Sequence, residues 1–305
     1  MTSLRDGPSI APPTGRSMRL RALLQLSRPQ QWHKGAMLFA APFAAGVIDR
    51  YPALIRVSWA AVAFTLLSVA VYALNDVRDA PDDRRHPRKL NRPVAAGTIS
   101  PRLAIAWAVG TGLAGLVALV PLGWPVVLLG FGYAGSQLLY VYGLKQVAVV
   151  DVVIVALGFV LRAAAGAAAV RVPVSSWFLL VSLFGALFLV AGKRRAERAA
   201  PPGNGQTRPV LAAYSTAWLD QLMTVALLGA SMSYGLWAFQ YLGHDVYRQL
   251  LTVSFLPFLT GLLRYGLLVS TGSGELPEHE IFRDRVLLAA GFLWALLVGA
   301  GLYLA

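Results

Sequence analysis

The sequence predicts an all-α protein that crosses a membrane many times, and three observations carry that prediction. Hydrophobic residues make up 57% of the chain and charged ones only 13%, with a mean hydropathy of +0.60. Such a balance excludes an ordinary water-soluble domain of 305 residues. The apolar residues fall in runs close to the ~20 that a spanning helix needs, without the strict alternation of a barrel strand. The 27 lysines and arginines gather in the short polar stretches between those runs. The net charge of +13 therefore reads as membrane orientation and phosphate binding, not as a nucleic-acid surface. No cysteine is present, so disulfides, thiolate metal sites and cysteine nucleophiles are ruled out.

Taken in order, residues 1–17 carry Pro, Gly and Arg without an apolar core and read as a disordered cytoplasmic tail, not a cleavable signal. Residues 18–305 then form one transmembrane domain. Leucines 20, 23, 24 and 26 give residues 20–34 the pattern of a short amphipathic surface helix. Nine spans follow: 35–48, 53–75, 103–122, 126–142, 147–170, 175–192, 211–242, 246–270 and 283–305. The breaks between them are marked by Asp49-Arg50-Tyr51-Pro52, Gly123-Trp124-Pro125 and Arg171-Val172-Pro173. Pro257 predicts a kink inside the eighth span. With the N-terminus inside, Arg50, Arg56, Arg171 and Arg248 lie outside and Arg162 lies within a span; every other lysine and arginine is on the inner side. The positive-inside rule thus places the N-terminus in the cytoplasm and the C-terminus outside.

The stretch that departs most from this pattern is Asn75-Asp76-Val77-Arg78-Asp79-Ala80-Pro81-Asp82-Asp83, at the inner end of the second span. Asp76, Asp79 and Asp83 stand at i, i+3 and i+7, one face of a continuing helix, while Asp82 points elsewhere. Three carboxylates on one face repel each other unless a cation joins them, and hard oxygen ligands suit Mg²⁺. A second constellation lies on the same side: Tyr140, Tyr142 and Lys145 after span four, Asp151 opening span five, and Lys193-Arg194-Arg195 closing span six. Arg162 is eleven residues past Asp151, about 16 Å deeper along a helix, and needs a partner or a watery cavity there. Asp151 is read as assisting the metal, with Lys145, Arg162 and Lys193 as phosphate binders. The result is a central cavity open to the cytoplasm, acidic on one wall and basic on the other. Such a cavity complements a metal–diphosphate complex. His33, His86, His244 and His279 sit near span edges and are read as non-catalytic, and Arg84, Arg85 and Arg88 as topology or headgroup charges.

These residues resemble the UbiA superfamily of intramembrane prenyltransferases, whose pattern is nine helices with an Asn-Asp-x-x-Asp-x-x-x-Asp motif after the second and another aspartate motif after the fourth. Asn75, Asp76, Asp79 and Asp83 match the first motif, and Arg92-Pro93 and Gly97 also look like the family. The second departs from it, with Lys145 and a single Asp151 where a pair of aspartates is typical. That departure is similar to one branch, the decaprenyl-phosphate phosphoribosyltransferases of cell-wall arabinan synthesis. Residues 28–34 (RPQQWHK), 161–166, 176–178, 190–194 and 283–285 look like that branch too. The resemblance implies transfer of 5-phosphoribosyl from phosphoribosyl diphosphate to a polyprenyl phosphate, with Mg²⁺ as cofactor, at the plasma membrane. It implies metal ligation by Asp76, Asp79, Asp83 and Asp151, and catalysis by these with Lys145. Substrate contacts are implied from Lys34, Asn75, Arg92, Tyr140, Lys145, Arg162, Lys193 and Arg194. Membrane lipids are partners, nucleic acid is not, and a homo-oligomer stays open. Two other readings remain: a prenyltransferase acting on an aromatic acceptor, and a transporter whose charges line a permeation path.

Overall fold

The computed structural model describes residues 16–85, 87, 89–199, 209–241, 243, 245–271 and 283–304. Residues 1–15 of the expected tail, His86, Arg88, Arg208, His244 and His279 lie outside the described residues. Every regular element among the described residues is helical.

Helix α1 (Arg16–Leu26) starts inside the expected tail and stops short of the expected 20–34 helix. Proline cannot donate a helical hydrogen bond and pushes the residue before it out of the α region. Arg28, just before Pro29, takes a left-handed φ of 48°, and a 3₁₀ stretch (Pro29–Ala36) leads into α2 (Met37–Ala44). The first expected span is thus an eight-residue helix, about 12 Å long, entered through a 3₁₀ segment. It docks on α6 (Val150–Val170) at Gly166, where a Cβ would come within 1.8 Å of the Leu38 carbonyl oxygen.

Helix α3 (Tyr51–Asp83) runs 33 residues, about 50 Å, and its apolar face buries Val57, Ala60, Phe64, Leu67 and Val71. It outruns a bilayer core, so its last turns carry the acidic motif beyond the apolar part of the bundle. Helices α4 (Pro101–Leu119) and α5 (Trp124–Tyr142) meet at Gly123, whose φ of 111° turns the chain. Helix α7 (Ser176–Ala199) continues seven residues past the expected end, so Lys193, Arg194 and Arg195 are helical and point in different directions. Helix α8 spans Thr216–Ala238. The eighth expected span is divided into α9 (Val246–Val253) and α10 (Phe255–Ser270) at Ser254, three residues before Pro257, with Ser254 itself still at φ −63° and ψ −14°. Pro257 cannot donate to the Val253 carbonyl and its ring crowds that oxygen, so the helical hydrogen bonding is interrupted there. Helix α11 (Arg285–Tyr303) ends the described chain.

Among the described residues, seven stretches are long and apolar enough to cross a membrane: α3, α4 with its 3₁₀ extension, α5, α6, α7, α9 with α10, and α11. The other two expected spans correspond to α2 and α8. Neighbours in sequence pack in space, α3 on α4, α5 on α6, α6 on α7, α7 on α8 and α10 on α11. The ring closes where Tyr303 donates to the Phe43 carbonyl at 3.0 Å and its ring stands 5.9 Å from that of Phe43. Large apolar side chains such as Leu113, Val117, Phe131, Met232 and Phe292 face outward, as lipid contact requires. The chain is an integral membrane protein.

Candidate active site at the polar end of the bundle

Helix α3 does continue through the acidic motif, and Asp76 and Asp83 are 2% and 3% exposed. Asp82 is exposed and turned away, as the helical spacing predicts. Buried carboxylates require counter-charge, and three basic residues provide it, two of them from distant parts of the chain and one from the loop that follows α3. Arg28 donates to Asp76 and lies over the Tyr72 ring. Arg92 Nη1 stands 2.7 Å from Asp83 Oδ2 and 3.4 Å from Asp76 Oδ1, so one guanidinium bridges two carboxylates. Lys145 donates to Asp79 Oδ1, while Asn75 Nδ2 donates to Asp79 Oδ2 at 2.9 Å. The loop after α3 folds back to present Arg92: Pro93, Val94 and Ala95 are buried, and Arg84 Nε donates to the Ala95 carbonyl at 3.2 Å.

Asp151 differs from the expectation. It is fully buried, with Arg194 Nε donating to Oδ2 at 3.0 Å and the Tyr214 hydroxyl donating to Oδ1. Arg194 is itself buried and also meets Glu197 Oε2 at 3.0 Å and the Tyr140 hydroxyl at 3.5 Å. With its two oxygens engaged, Asp151 serves here as the anchor of the α5–α6–α7 junction. Arg194 and Tyr140 belong to the same junction and do not present an open phosphate contact. Tyr214 Oη also accepts the Val149 N–H at 2.6 Å. Burial, then the bond to Asp151, pushes the Tyr214 phenol above its ordinary range, so it stays a donor at neutral pH. Lys193 is half-buried and makes no hydrogen bond or ion pair among the described residues.

Arg162 has no carboxylate partner among the described residues. Its Nη2 donates to Tyr133 Oη at 2.5 Å and Ser68 Oγ at 3.1 Å, and its guanidinium lies 4.5 Å from the Tyr133 ring centroid. It borders a small cleft with Lys34, Gln31, Trp32, Gly35, Phe64, Thr65 and Ser68.

Among the described residues no three Asp, Glu or His side chains converge as a ready metal cluster, because Asp76 and Asp83 share Arg92 and Asp79 turns to Lys145. The donor set still fits a divalent cation. One guanidinium reaching both Asp76 and Asp83 shows that a single cation spans them, and all the donors are hard oxygens. Of the residues holding this end together, Arg28, Tyr133 and Tyr214 were not marked as site residues by the sequence. Arg28 stands in the 28–34 stretch that resembles the family, and Tyr214, 63 residues from Asp151, carries no local sequence signal.

The model of the UbiA prenyltransferase family matches residues 36–272. A decaprenyl-phosphate phosphoribosyltransferase of Mycobacterium tuberculosis is 40% identical over 278 residues, covering 90% of this chain and 91% of the relative. That of Mycolicibacterium smegmatis is 36% identical, covering 97% and 96%. Among solved structures, a UbiA homologue from Archaeoglobus fulgidus bound to GPP and Mg²⁺ superposes with a TM-score of 0.70 at 17% identity, covering 92% of this chain and 98% of its own. At that identity the likeness speaks for the fold alone.

Proposed function

The chain belongs to the UbiA prenyltransferase family, and from that premise we propose that it transfers the 5-phosphoribosyl group of phosphoribosyl diphosphate to decaprenyl phosphate. Diphosphate is released, and the product serves cell-wall arabinan synthesis. The observation that carries the reading is Lys145 set against Asp79 on the acidic wall, in a chain whose 36–40% identical relatives bear this activity in their names. The phosphoribosyl donor brings a 5-phosphate in addition to its diphosphate, so its site must balance more negative charge than a prenyl diphosphate carries. A lysine in the acidic wall shifts the balance that way.

Asp76 and Asp83, with Asp79 once it parts from Lys145, would hold Mg²⁺, which when bound neutralises the departing diphosphate. Lys145 and Arg92, released from their carboxylates, then meet phosphate oxygens, and Lys193 reaches another part of the donor. The C1–O bond to diphosphate breaks with the electron pair leaving on that oxygen, and positive charge develops at C1 of the ribose. An oxygen of the lipid phosphate forms the new C1–O bond from the opposite face, inverting that carbon. This nucleophile is already anionic at neutral pH, so no strong general base is needed. In this reading residues 18–305 form one domain of nine membrane segments. The acidic end faces the cytoplasm across the plasma membrane, and the polyprenyl chain extends sideways into the bilayer.

The test offers labelled phosphoribosyl diphosphate and polyprenyl phosphate to the purified protein in detergent, with Mg²⁺. A parallel reaction contains geranyl diphosphate and an aromatic acceptor. Label should enter a lipid product, and both EDTA and Asp79→Asn should abolish this while the protein stays monodisperse. Label remaining in water while the parallel reaction proceeds would make the chain an ordinary prenyltransferase. Near-normal turnover of Asp79→Asn would sink the metal assignment.

A further inference from the structure

We propose that the groove between α7, α10 and α11 binds an anionic glycerophospholipid, with one acyl chain lying in it and an ester carbonyl accepting from Tyr265. The inference is independent of the phosphoribosyl-transfer reading. The groove has a volume of about 260 Å³, and none of its lining residues belongs to the acidic motif or to the polar cluster around Asp151. Phe188 and Leu189 of α7, Phe258 and Leu262 of α10, and Leu287 and Trp294 of α11 make it apolar. Leu189 and Gly291 on its walls are exposed, so it opens sideways to the bilayer. Water is absent from that depth, and a lipid chain fills the space.

A plain hydrocarbon chain does not account for Tyr265. This side chain lines the groove and is 4% exposed, yet its hydroxyl is buried without a hydrogen-bond partner among the described residues. The Phe188 ring packs edge-on against it at 5.3 Å, and Gly192 of α7, lacking a Cβ, leaves room for the hydroxyl. The other polar group on the groove wall, Trp294 Nε1, already donates to Tyr234 Oη at 2.9 Å. A buried phenol left unpaired is costly, so an occupant that carries an acceptor is favoured. Depth and charge indicate which acceptor. Tyr265 lies five residues before the end of α10 at Ser270, about 7.5 Å along the axis, and Leu287 stands in the first turn of α11. The polar interface of a bilayer is about 5–8 Å thick on each side. The hydroxyl is thus at the boundary with hydrocarbon, where the ester carbonyls of a glycerophospholipid lie. At the same end Arg283 and Arg285 are exposed and their side chains make no hydrogen bond or ion pair among the described residues, while Arg264 pairs with Asp284. Two such cations at headgroup height fit a lipid with net negative charge. A prenyl phosphate has its acceptors only in the phosphate and offers no carbonyl to Tyr265.

The experiment measures binding to the full chain in detergent by native mass spectrometry. Its probes are dioleoyl phosphatidylglycerol, the diether analogue of that lipid, dioleoyl phosphatidylcholine and farnesyl phosphate. Wild type should bind the diester about threefold to tenfold more tightly than the diether, the reach of one hydrogen bond. Tyr265→Phe should bind the two alike. Phosphatidylglycerol should be preferred to phosphatidylcholine, and Arg283→Gln combined with Arg285→Gln should remove that preference. Gly291→Leu, which fills the groove from an exposed position with open space around it, should weaken every phospholipid about tenfold or more. If Tyr265→Phe does not fold, the diester–diether comparison in wild type carries the test. Equal affinity for diester and diether in wild type, or phospholipid binding within about twofold of wild type in Gly291→Leu, overturns the site. Farnesyl phosphate that displaces phosphatidylglycerol, and is itself lost in Gly291→Leu, would give the groove to a prenyl chain and overturn the phospholipid assignment.

Discussion

One hydroxyl, Tyr214 Oη, serves two groups at once: it donates to Oδ1 of the buried Asp151 carboxylate and accepts the Val149 N–H. Val149 takes φ 69° and ψ −47°, a conformation that a β-branched side chain adopts at a cost of about 1–3 kcal/mol. It lies between Lys145, which meets Asp79, and Asp151, which is buried in the core. Tyr214→Phe should lower unfolding stability by about 1–3 kcal/mol, the cost of leaving the buried Asp151 Oδ1 without its donor. Thermal melts in detergent would detect that loss. An unchanged melting temperature would mean that the 3₁₀ turn Leu144–Gln146 holds the strained residue without help.

At the scale of elements, α2 depends on one glycine. Any side chain at 166 drives into the Leu38 backbone, and backbone yields less easily than a side-chain end. Gly166→Ala should cost about 1–3 kcal/mol or more. Because α2 carries the 3₁₀ segment with Lys34, substrate affinity should fall with stability; a variant that melts normally would show α2 free to shift. Helix α11 has a different anchor. Asp284 caps it by accepting the Leu287 N–H at 2.9 Å and receives Arg264 from α10 at 2.8 Å. The Arg264 hydrogen bonds, then the Leu287 N–H, hold the Asp284 carboxyl below its ordinary value. A depressed carboxylate contributes stability that is fully present above its unfolded value of 3.8 and is lost as pH falls through the folded value. The acid limb of a melting-temperature profile below about pH 4 should therefore be shallower in Asp284→Asn. Identical limbs would show that the pair contributes nothing.

Across the whole molecule, α11 returns to the start of the bundle, where Tyr303 meets Phe43, so residues near the two ends of the described chain hold the ring shut. The proposed orientation has a clean test, since the natural chain lacks cysteine. Arg84→Cys and Arg171→Cys place single thiols at exposed sites flanking α3 and α6. A membrane-impermeant maleimide added to intact cells should label residue 171 and spare residue 84 until the cells are opened. The reverse pattern would invert the topology.

Composition, run length and charge distribution were enough to establish an all-helical membrane protein with its acidic motif at the end of a long helix. These signals are local: hydropathy sums over a run, and Asp76, Asp79 and Asp83 share a face through helical spacing alone. The same is true of the UbiA likeness, carried by residues close together in the chain. What only the tertiary structure decided is which charge meets which. Asp151 and Arg194 look from the sequence like an open ligand and an open phosphate contact, yet they neutralise each other in the core because α6 and α7 cross there. Arg28 and Lys145 reach α3 from 48 and 66 residues away, and Arg162 is a buried cation with no acid partner among the described residues. Pairing depends on where helices cross, and that is set by side-chain packing between segments that no sequence window contains.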